Sequence, residues 1–578
     1  MKKYLPYVKK YWYSFLLGPI FMVLEACGEF VLPFVNGNLI NAIKAGEADV
    51  PYIVRSGIIM ALIAVFMMIT GVLGANFAIR GSVRLAAGVR RDVFAKIQTF
   101  SFKNIDDFTT GSLITRITND VTQIQNFTNT LLRGMFRSPV MLIGALAMSF
   151  AIKPDLAWVI FLIMPFMALA IFVIIRIASP RYTKMQEAID GVNSSIGETI
   201  TNEKVIKSFV REDYEIERFG KRNDDLVDKS LRALKVMLFM MPVSSVAINV
   251  ATLLVVWISG PQMMVGDMEI GTLTTFITYL TQVLTALNFV ANIILQGTRA
   301  AASNRRIAEV LGAEVDLNDE NSRHGSALIT RGEIEFKNVS FRYFKDHEDK
   351  VLDNISLHIN AGELVGIVGS TGSGKSTLVS LIPRLYDPDE GEVLVDGIPV
   401  YDYSLYNLRE QIAMVLQKNT LFAGSVAENL RWGKEDATDE ELVRVCEIAQ
   451  AHGFISTFPD GYDTDIGREG SRLSGGQKQR VCIARALLKN PRIIILDDST
   501  SAVDTATDAS IRRAFREELS GVTKLIIAQR IGSVMDADKI IVLNEGRLVG
   551  FGKHDELLRG CKTYQEIYYS QKDGDENE

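Results

Sequence analysis

Residues Gly57 to Ile79 read "GIIMALIAVFMMITGVLGANFAI", an apolar run without a charge. About 20 apolar residues are what a helix needs to cross the hydrocarbon of a bilayer. Within that hydrocarbon only helices and closed barrels satisfy their own backbone. The same rule picks out Tyr11 to Ile43, about Leu131 to Ile152, Leu156 to Ile175, Val236 to Gly266 and Ile270 to Thr298. Six spans are therefore expected in the first half of the chain. Two of them carry charge: Glu25 and Glu29 in the first, Arg133 and Arg137 near the start of the third.

Basic residues orient the spans. Lys2, Lys3, Lys9 and Lys10 precede the first, and Arg80, Arg84, Arg90, Arg91, Lys96, Lys103 and Arg116 lie between the second and third. Another long charged stretch, Arg176 to Lys235, joins the fourth and fifth, whereas the alternate connections "KAGEADVPY", "KPD" and "GDME" are short and nearly free of positive charge. The positive-inside rule places both termini and both long connections in the cytoplasm. Those connections repeat apolar residues at three and four spacing, as in "AGVRRDVFAKIQTFSF" and "VIKSFVREDYEIERF", so the spans should continue as helices beyond the membrane. The basic start "MKKYLPYVKKYWYS" reads as a surface helix leading into a retained span, without the cleavage site of a signal peptide.

Hydrophobicity collapses after Ala300, which explains how 48% hydrophobic and 22% charged residues coexist in 578. The expected organisation is a transmembrane domain over 1–312, a polar linker over 313–331, a soluble α/β domain over 332–571 and an acidic, unstructured tail over 572–578. A net charge of −6 argues against nucleic acid as a partner. Cys27, Cys446, Cys482 and Cys561 form no paired motif and read as reduced, buried side chains.

In the soluble half, "ELVGIVGSTGSGKSTLVSLI" is a buried strand, a glycine-rich loop and a helix. Gly369, Gly374, Lys375 and Ser376 satisfy G-x-x-x-x-G-K-[ST] in the strand–helix context it requires. Its backbone N–H groups, from Gly369 through Ser370, Thr371, Gly372 and Ser373 to Gly374 and on to Thr377, can curl around phosphates. Lys375 reaches the outer phosphates, and Ser376 can ligate Mg²⁺.

Downstream, "SRLSGGQKQRVCIARALL" and "PRIIILDDST" carry a family resemblance. Leu473, Ser474, Gly475, Gly476 and Gln477 resemble the signature loop of ATP-binding-cassette proteins, and Asp497 closes a strand like the Walker B motif. Tyr343 in "VSFRYF" resembles the aromatic that stacks on adenine, and Gln417 the Q-loop glutamine. Ser501, Ala502, Val503 and Asp504 resemble the D-loop. With six spans ahead, the whole chain resembles exporter-type half-transporters, which implies a six-span helical domain followed by a P-loop cassette. The resemblance further implies ATP and Mg²⁺, the metal held by Ser376, Gln417 and Asp497. It also implies head-to-tail pairing, in which each ATP lies between one chain's Walker loop and the other's signature. A signature opening a helix agrees, as a second anion-binding N-terminus.

Two positions depart from the family pattern. At 498 the family carries the glutamate that polarises the attacking water, and here there is Asp498, its carboxylate about 1.5 Å further back. Misplacement by ~1 Å can cost around 100-fold in rate. At 529 the family's switch histidine is replaced by Gln529, which can donate a hydrogen bond but cannot carry charge or shuttle a proton. None of the five histidines (324, 347, 358, 452, 554) lies nearby. Every nucleotide-binding element is kept while both hydrolytic positions are altered. This resembles the degenerate-site subunit of bacterial heterodimeric multidrug exporters. The expectation is an inner-membrane subunit that holds ATP and lends its signature to a partner chain bearing Glu and His. Amphipathic drug-like or lipid-like molecules are the expected cargo. A slow homodimeric lipid translocase, or an ATP-gated sensor or channel subunit, are the alternatives. An importer is not expected, because importers keep spans and cassette on separate chains. Nor is a leader-cleaving peptide exporter, for want of a protease domain before the first span.

Glu25 and Glu29 lie four apart on one helix face, and acids at membrane depth are functional by default. They either line the transport cavity and attract cationic substrates or protons, or sit near the membrane boundary or pair with a group of the partner chain. Pro165 and Pro242 are expected to kink their spans. Met237, Met240, Met241, Met263 and Met264 are expected to pack or face lipid. "NIDDFTTGSL" and "ITNEKVIKSF" are expected to turn the cytoplasmic helices and press on nucleotide domains, with "GREGSR" as their sensor.

Overall fold

The computed structural model describes residues 4–319, 322–343, 349–498 and 504–575. By internal contact the chain divides into two units, Met1–Gln98 with Gly111–Ala313, and Thr99–Thr110 with Glu314–Glu578. The short connection around "NIDDF" thus goes with the nucleotide-binding half, although it lies inside the stretch 1–312.

The first unit is helical. After a short helix Leu5–Lys10 come α1 (Trp12–Ala45) and α2 (Val50–Gln98), then, beyond α3 (Phe102–Phe108) of the second unit, α4 (Val121–Gly134), α5 (Arg137–Ile152), α6 (Pro154–Thr201), α7 (Glu203–Ser208), α8 (Glu212–Leu238), α9 (Met240–Val265) and α10 (Ile270–Gly312). Among the described residues six helical stretches are long and apolar enough to cross a membrane. At 1.5 Å per residue, the 49-residue α2 is roughly 70 Å long, more than twice the hydrocarbon thickness. Spans therefore do continue as helices past the bilayer.

Close helix approach rests on small residues. A Cβ on Gly18 would stand 3.4 Å from the Ala78 backbone nitrogen, so α1 and α2 meet almost backbone to backbone. The third span is broken at Met135–Phe136, between α4 and α5, where Arg133 and Arg137 flank the interruption. Pro165 lies inside α6. Pro242 instead stands in the first turn of α9, just after the break at Phe239, where a missing N–H costs nothing. Cys446, Cys482 and Cys561 are buried as expected, but Cys27 is exposed on α1.

The second unit is α/β. One sheet, β2-β1-β4-β5, is antiparallel and built from β1 (Ile334–Phe341), β2 (Leu352–Ile359), β4 (Glu390–Val395) and β5 (Ile398–Pro399). The other runs β10-β9-β3-β8-β7-β6, with β3 (Leu364–Gly369), β6 (Ile412–Val415), β7 (Ile493–Asp497), β8 (Thr523–Ile527), β9 (Lys539–Asn544) and β10 (Arg547–Gly552). All pairs in it are parallel except β9 with β10. Strands covered on both faces are apolar throughout, and β7 and β8 are buried along their whole length. Four helices matter for the site: α11 (Lys375–Ser380), α12 (Gly475–Leu488), α13 (Thr505–Glu518) and α14 (Lys562–Asp575). The last reaches into the stretch expected as an unstructured tail.

Local chemistry fixes the unit's entrance. Asp396 accepts backbone N–H bonds from Thr330, Arg331, Gly332 and Glu333 at 2.7–2.9 Å. Burial pushes its carboxyl up, but these donors outweigh burial and hold it below the ordinary aspartate value. Residues expected as linker are also tied in, since Asp319 accepts the Leu405 N–H and His324 N–H reaches the Asp402 carbonyl. Helix α3 opens on a Ser101/Asn104 capping box, and Asn104 donates to the Glu314 carbonyl at 3.1 Å. Phe102 packs 6.0 Å from Tyr386, whose hydroxyl donates to Asp106 at 3.3 Å.

Candidate functional site

Strand order assembles the site. In open parallel sheets ligands bind beyond the carboxyl ends of the strands. Here β3, β8 and β7 are neighbours, so Gly369, Gln529 and Asp497 emerge side by side. Gly369 ends β3, and a Cβ there would collide with the Leu543 carbonyl oxygen at 2.2 Å. Gly374 has φ +93° and stands immediately before α11. Glycine alone adopts that conformation without strain while leaving the backbone bare for a phosphate.

Within the loop, Lys375 Nζ donates to the carbonyls of Gly369 (2.9 Å) and Ser370 (2.8 Å), which holds the loop curled. Burial depresses the pKa of its amine, opposed by Asp498 and Asp497. The Ser376 hydroxyl donates to Asp497 Oδ1 at 2.9 Å. Burial raises the Asp497 carboxyl, the Ser376 bond opposes this, Asp498 adds to it and Lys375 opposes it. Ser373 Oγ is buried without a partner. An orphaned hydroxyl, a curl of bare backbone and a desolvated amine together suit a polyphosphate. A hydroxyl beside one carboxylate suits Mg²⁺, which takes few protein ligands and completes its shell with water and phosphate. Among the described residues no cluster of three His, Cys, Asp or Glu competes for a metal.

Asp498 is buried and adopts φ +48°, with its N–H on the Ile527 carbonyl at 3.2 Å. Its Oδ2 accepts the Gln529 amide at 2.5 Å, and the Gln417 amide nitrogen stands 3.5 Å from the same oxygen. Burial raises its carboxyl, and both amides and Lys375 oppose the rise. The two altered positions are thus in direct contact, and Gln417 must turn its amide to present an oxygen to a metal.

The remaining elements sit where the strand order puts them. Tyr343 packs edge-on against Phe341 (5.0 Å) and Tyr386 (5.2 Å), and its hydroxyl shares a 2.9 Å bond with Thr377 just after the Walker loop. Leu473 is buried, while Ser474 and Gly475 are exposed. Ser474 caps α12 by accepting the Gln477 N–H at 3.3 Å, and Gln477 returns an oxygen to the Ser474 N–H. Among the described residues no hydrogen bond joins Leu473–Gln477 to Gly369–Thr377. Of the D-loop, Ser501, Ala502 and Val503 lie outside the described residues, and Asp504 caps α13 through the Thr507 N–H at 2.9 Å.

Glu25 and Glu29 meet a cation of their own chain. Arg137 Nη2 stands 2.5 Å from Glu29 Oε1, and its Nε 3.5 Å from Glu25 Oε2. Both acids line cavities in the first unit. The sequence shows two acids and an arginine among the spans but carried no signal of their pairing. It carried none for Tyr386, nor for Gln571 of α14. Gln571 Nε2 donates to the Gln529 carbonyl at 2.8 Å, while its Oε1 accepts the Ile531 N–H at 2.8 Å.

Comparison with known proteins finds matches over both units. Residues 15–287 match the ABC transporter transmembrane region, and residues 352–501 match the ABC transporter family. The uncharacterized ABC transporter ATP-binding protein YfiB of Bacillus subtilis (strain 168) is 37% identical over 99% of this chain and 98% of its own length. The ATP-dependent lipid A-core flippase of Desulfotalea psychrophila is 34% identical over 89% of each chain. A solved bacterial Atm1-family ABC exporter with ATP bound is similar with a TM-score of 0.83, at 25% identity, over 98% of both chains. Six spans, a nucleotide site at the ends of β3, β7 and β8, and full-length relatives place this chain in the ABC transporter family, as an exporter with its transmembrane and nucleotide-binding domains on one polypeptide.

Proposed function

We propose that this chain is the degenerate-site subunit of a heterodimeric exporter that moves amphipathic molecules out across a bacterial cytoplasmic membrane. The observation that carries the reading is the Asp498–Gln529 contact at 2.5 Å. A base must take a proton from water. This carboxylate is one methylene short and is held by an amide that can give no charge and shuttle no proton.

Each residue then has a part. Tyr343 stacks on the adenine. The backbone from Gly369 to Thr377, with Lys375, holds the phosphates, while Ser376, Asp497 and Gln417 hold Mg²⁺. Ser474 to Gln477, with Asp504, complete the ATP site of a partner whose own Glu and His hydrolyse. Mg²⁺, when bound, neutralises the phosphate oxygens. The positive charges on the long connections support a cytoplasmic location for the nucleotide-binding domain and both termini. The exposed Val205, Phe209 and Val210 at α7 support a second docking element for the partner's nucleotide domain. A relative named for a lipid flippase supports amphipathic cargo.

The test is ATP turnover by the chain purified alone, beside the same chain co-expressed with its nearest-encoded half-transporter. Negligible turnover alone with robust turnover together is the expected result. One observation favours a slow homodimer instead: burial raises the Asp498 carboxyl, as a base requires. Robust turnover by the chain alone would select that reading.

A further inference from the structure

The acids of α1 are more than an ion pair. Two carboxyl groups share one guanidinium in the Glu25–Arg137–Glu29 group, so Arg137 alone does not satisfy every acceptor of the two acids. Glu29 lines a cavity of about 410 Å³ with Arg137, Gln282, Met141, Leu32 and Phe289. Arg137, Met67 and Phe289 also line a second cavity of about 720 Å³, on which Glu25, Asn129 and Arg133 open. Arg133 does not line the Glu29 cavity.

The unsatisfied atoms point to the ligand. Gln282 spends its amide nitrogen on the Glu29 carbonyl at 2.9 Å, which leaves its oxygen buried without a donor. Glu29 spends Oε1 on Arg137, and its Oε2 is buried without a donor too. Asn129 Oδ1, on the neighbouring cavity, is in the same state. Buried polar atoms without partners are costly; these three are acceptors, and the unpartnered donor beside them, Arg137 Nε, already faces the Glu25 carboxylate at 3.5 Å.

We propose that this cavity binds the N–H-bearing ammonium of an amphiphile, with Glu29 and Gln282 accepting its protons and Met141, Leu32 and Phe289 against its apolar part. The inference rests on the exporter reading and narrows its substrate class. A quaternary ammonium carries the same charge but no N–H. Such groups are held by aromatic cages, and Phe289 is the single aromatic lining residue of either cavity among the described residues. A site built to accept hydrogen bonds strongly rejects an analogue that lacks the donor.

The experiment is equilibrium binding of dodecylammonium and dodecyltrimethylammonium to the full chain in phosphatidylcholine nanodiscs, without nucleotide. The expected result is a preference of about tenfold or more for dodecylammonium, lost in Glu29→Gln and reduced in Gln282→Leu. Equal affinities of the unaltered protein would overturn the proposal, and that comparison needs no variant. A preference that survives Glu29→Gln in a variant that still binds ATP would overturn it as well. Repeating the titration in phosphatidylethanolamine discs separates the sources. Competition identifies an aminophospholipid headgroup, and undiminished binding identifies a free amine. Because no nucleotide is present, failure here leaves the degenerate-site reading standing, and failure of the turnover test leaves this result intact.

Discussion

A missing methylene and a missing imidazole act on the same oxygen, since Asp498 Oδ2 receives the Gln529 amide directly. Restoring both groups should therefore do more than restoring either. Asp498→Glu combined with Gln529→His is expected to raise steady-state turnover by at least about tenfold, given that ~1 Å of misplacement can cost ~100-fold. Each single variant should recover only part of this, because residues that work as a unit are not additive. A double variant no faster than the starting protein would mean that positions 498 and 529 do not limit turnover. The left-handed backbone of Asp498 belongs to the same scale. With φ +48° and its N–H on the Ile527 carbonyl, the residue is tied to the end of β8.

At the scale of elements, two short-range devices hold the nucleotide unit. Asp396 gathers four consecutive N–H groups where the chain enters β1. A carboxyl whose folded pKa lies below its unfolded value contributes stability that is present above the unfolded value and lost as pH falls through the folded one. Asp396→Ala is expected to cost roughly 2 kcal/mol or more, a fall in Tm of roughly 5 °C for a domain of this size. The penalty should shrink as pH drops below the ordinary aspartate range, which thermal scans across pH can read. Helix α14 is the second device. Gln571 grips the backbone on both sides of Arg530 and so sets the height of Gln529. Gln571→Ala should lower the preference for ATP over ADP several-fold while leaving ADP affinity alone, since only ATP presents a γ-phosphate to Gln529. In a Gln529→Ala background the same change should have no further effect. An equal loss for both nucleotides would reduce Gln571 to a general packing role.

On the proposed reading the whole molecule is half of its machine. Ser474 and Gly475 of the signature loop are exposed, and the loop caps only its own helix and makes no hydrogen bond to its own Walker loop among the described residues. Two variants of the co-expressed complex separate its two sites. Ser474→Arg should cut turnover by at least about tenfold by spoiling the partner's site, while nucleotide binding at Lys375 is unchanged. Lys375→Ala should abolish binding at this chain's own loop, yet leave much of the complex's turnover. The reverse pattern would make this chain's Walker site the hydrolytic one.

Six spans, a Walker loop in strand–helix context and the altered pair at 498 and 529 were all legible in the sequence, because each depends on residue type at short spacing. Bilayer thickness sets the length of an apolar run, and a phosphate cradle needs its glycines within one turn. What the tertiary structure decided lies between distant segments. Strand order β3-β8-β7 is what turned two separate substitutions, 31 residues apart, into one contact. Arg137 lies 108 residues from Glu29, and only the packing of α5 against α1 made it that acid's partner. Gln571 came to Gln529 because α14 folds back across the end of β8, and no local pattern encodes that return. A short motif can specify what a residue is able to do, but which group it meets is fixed by how helices and strands share a common core.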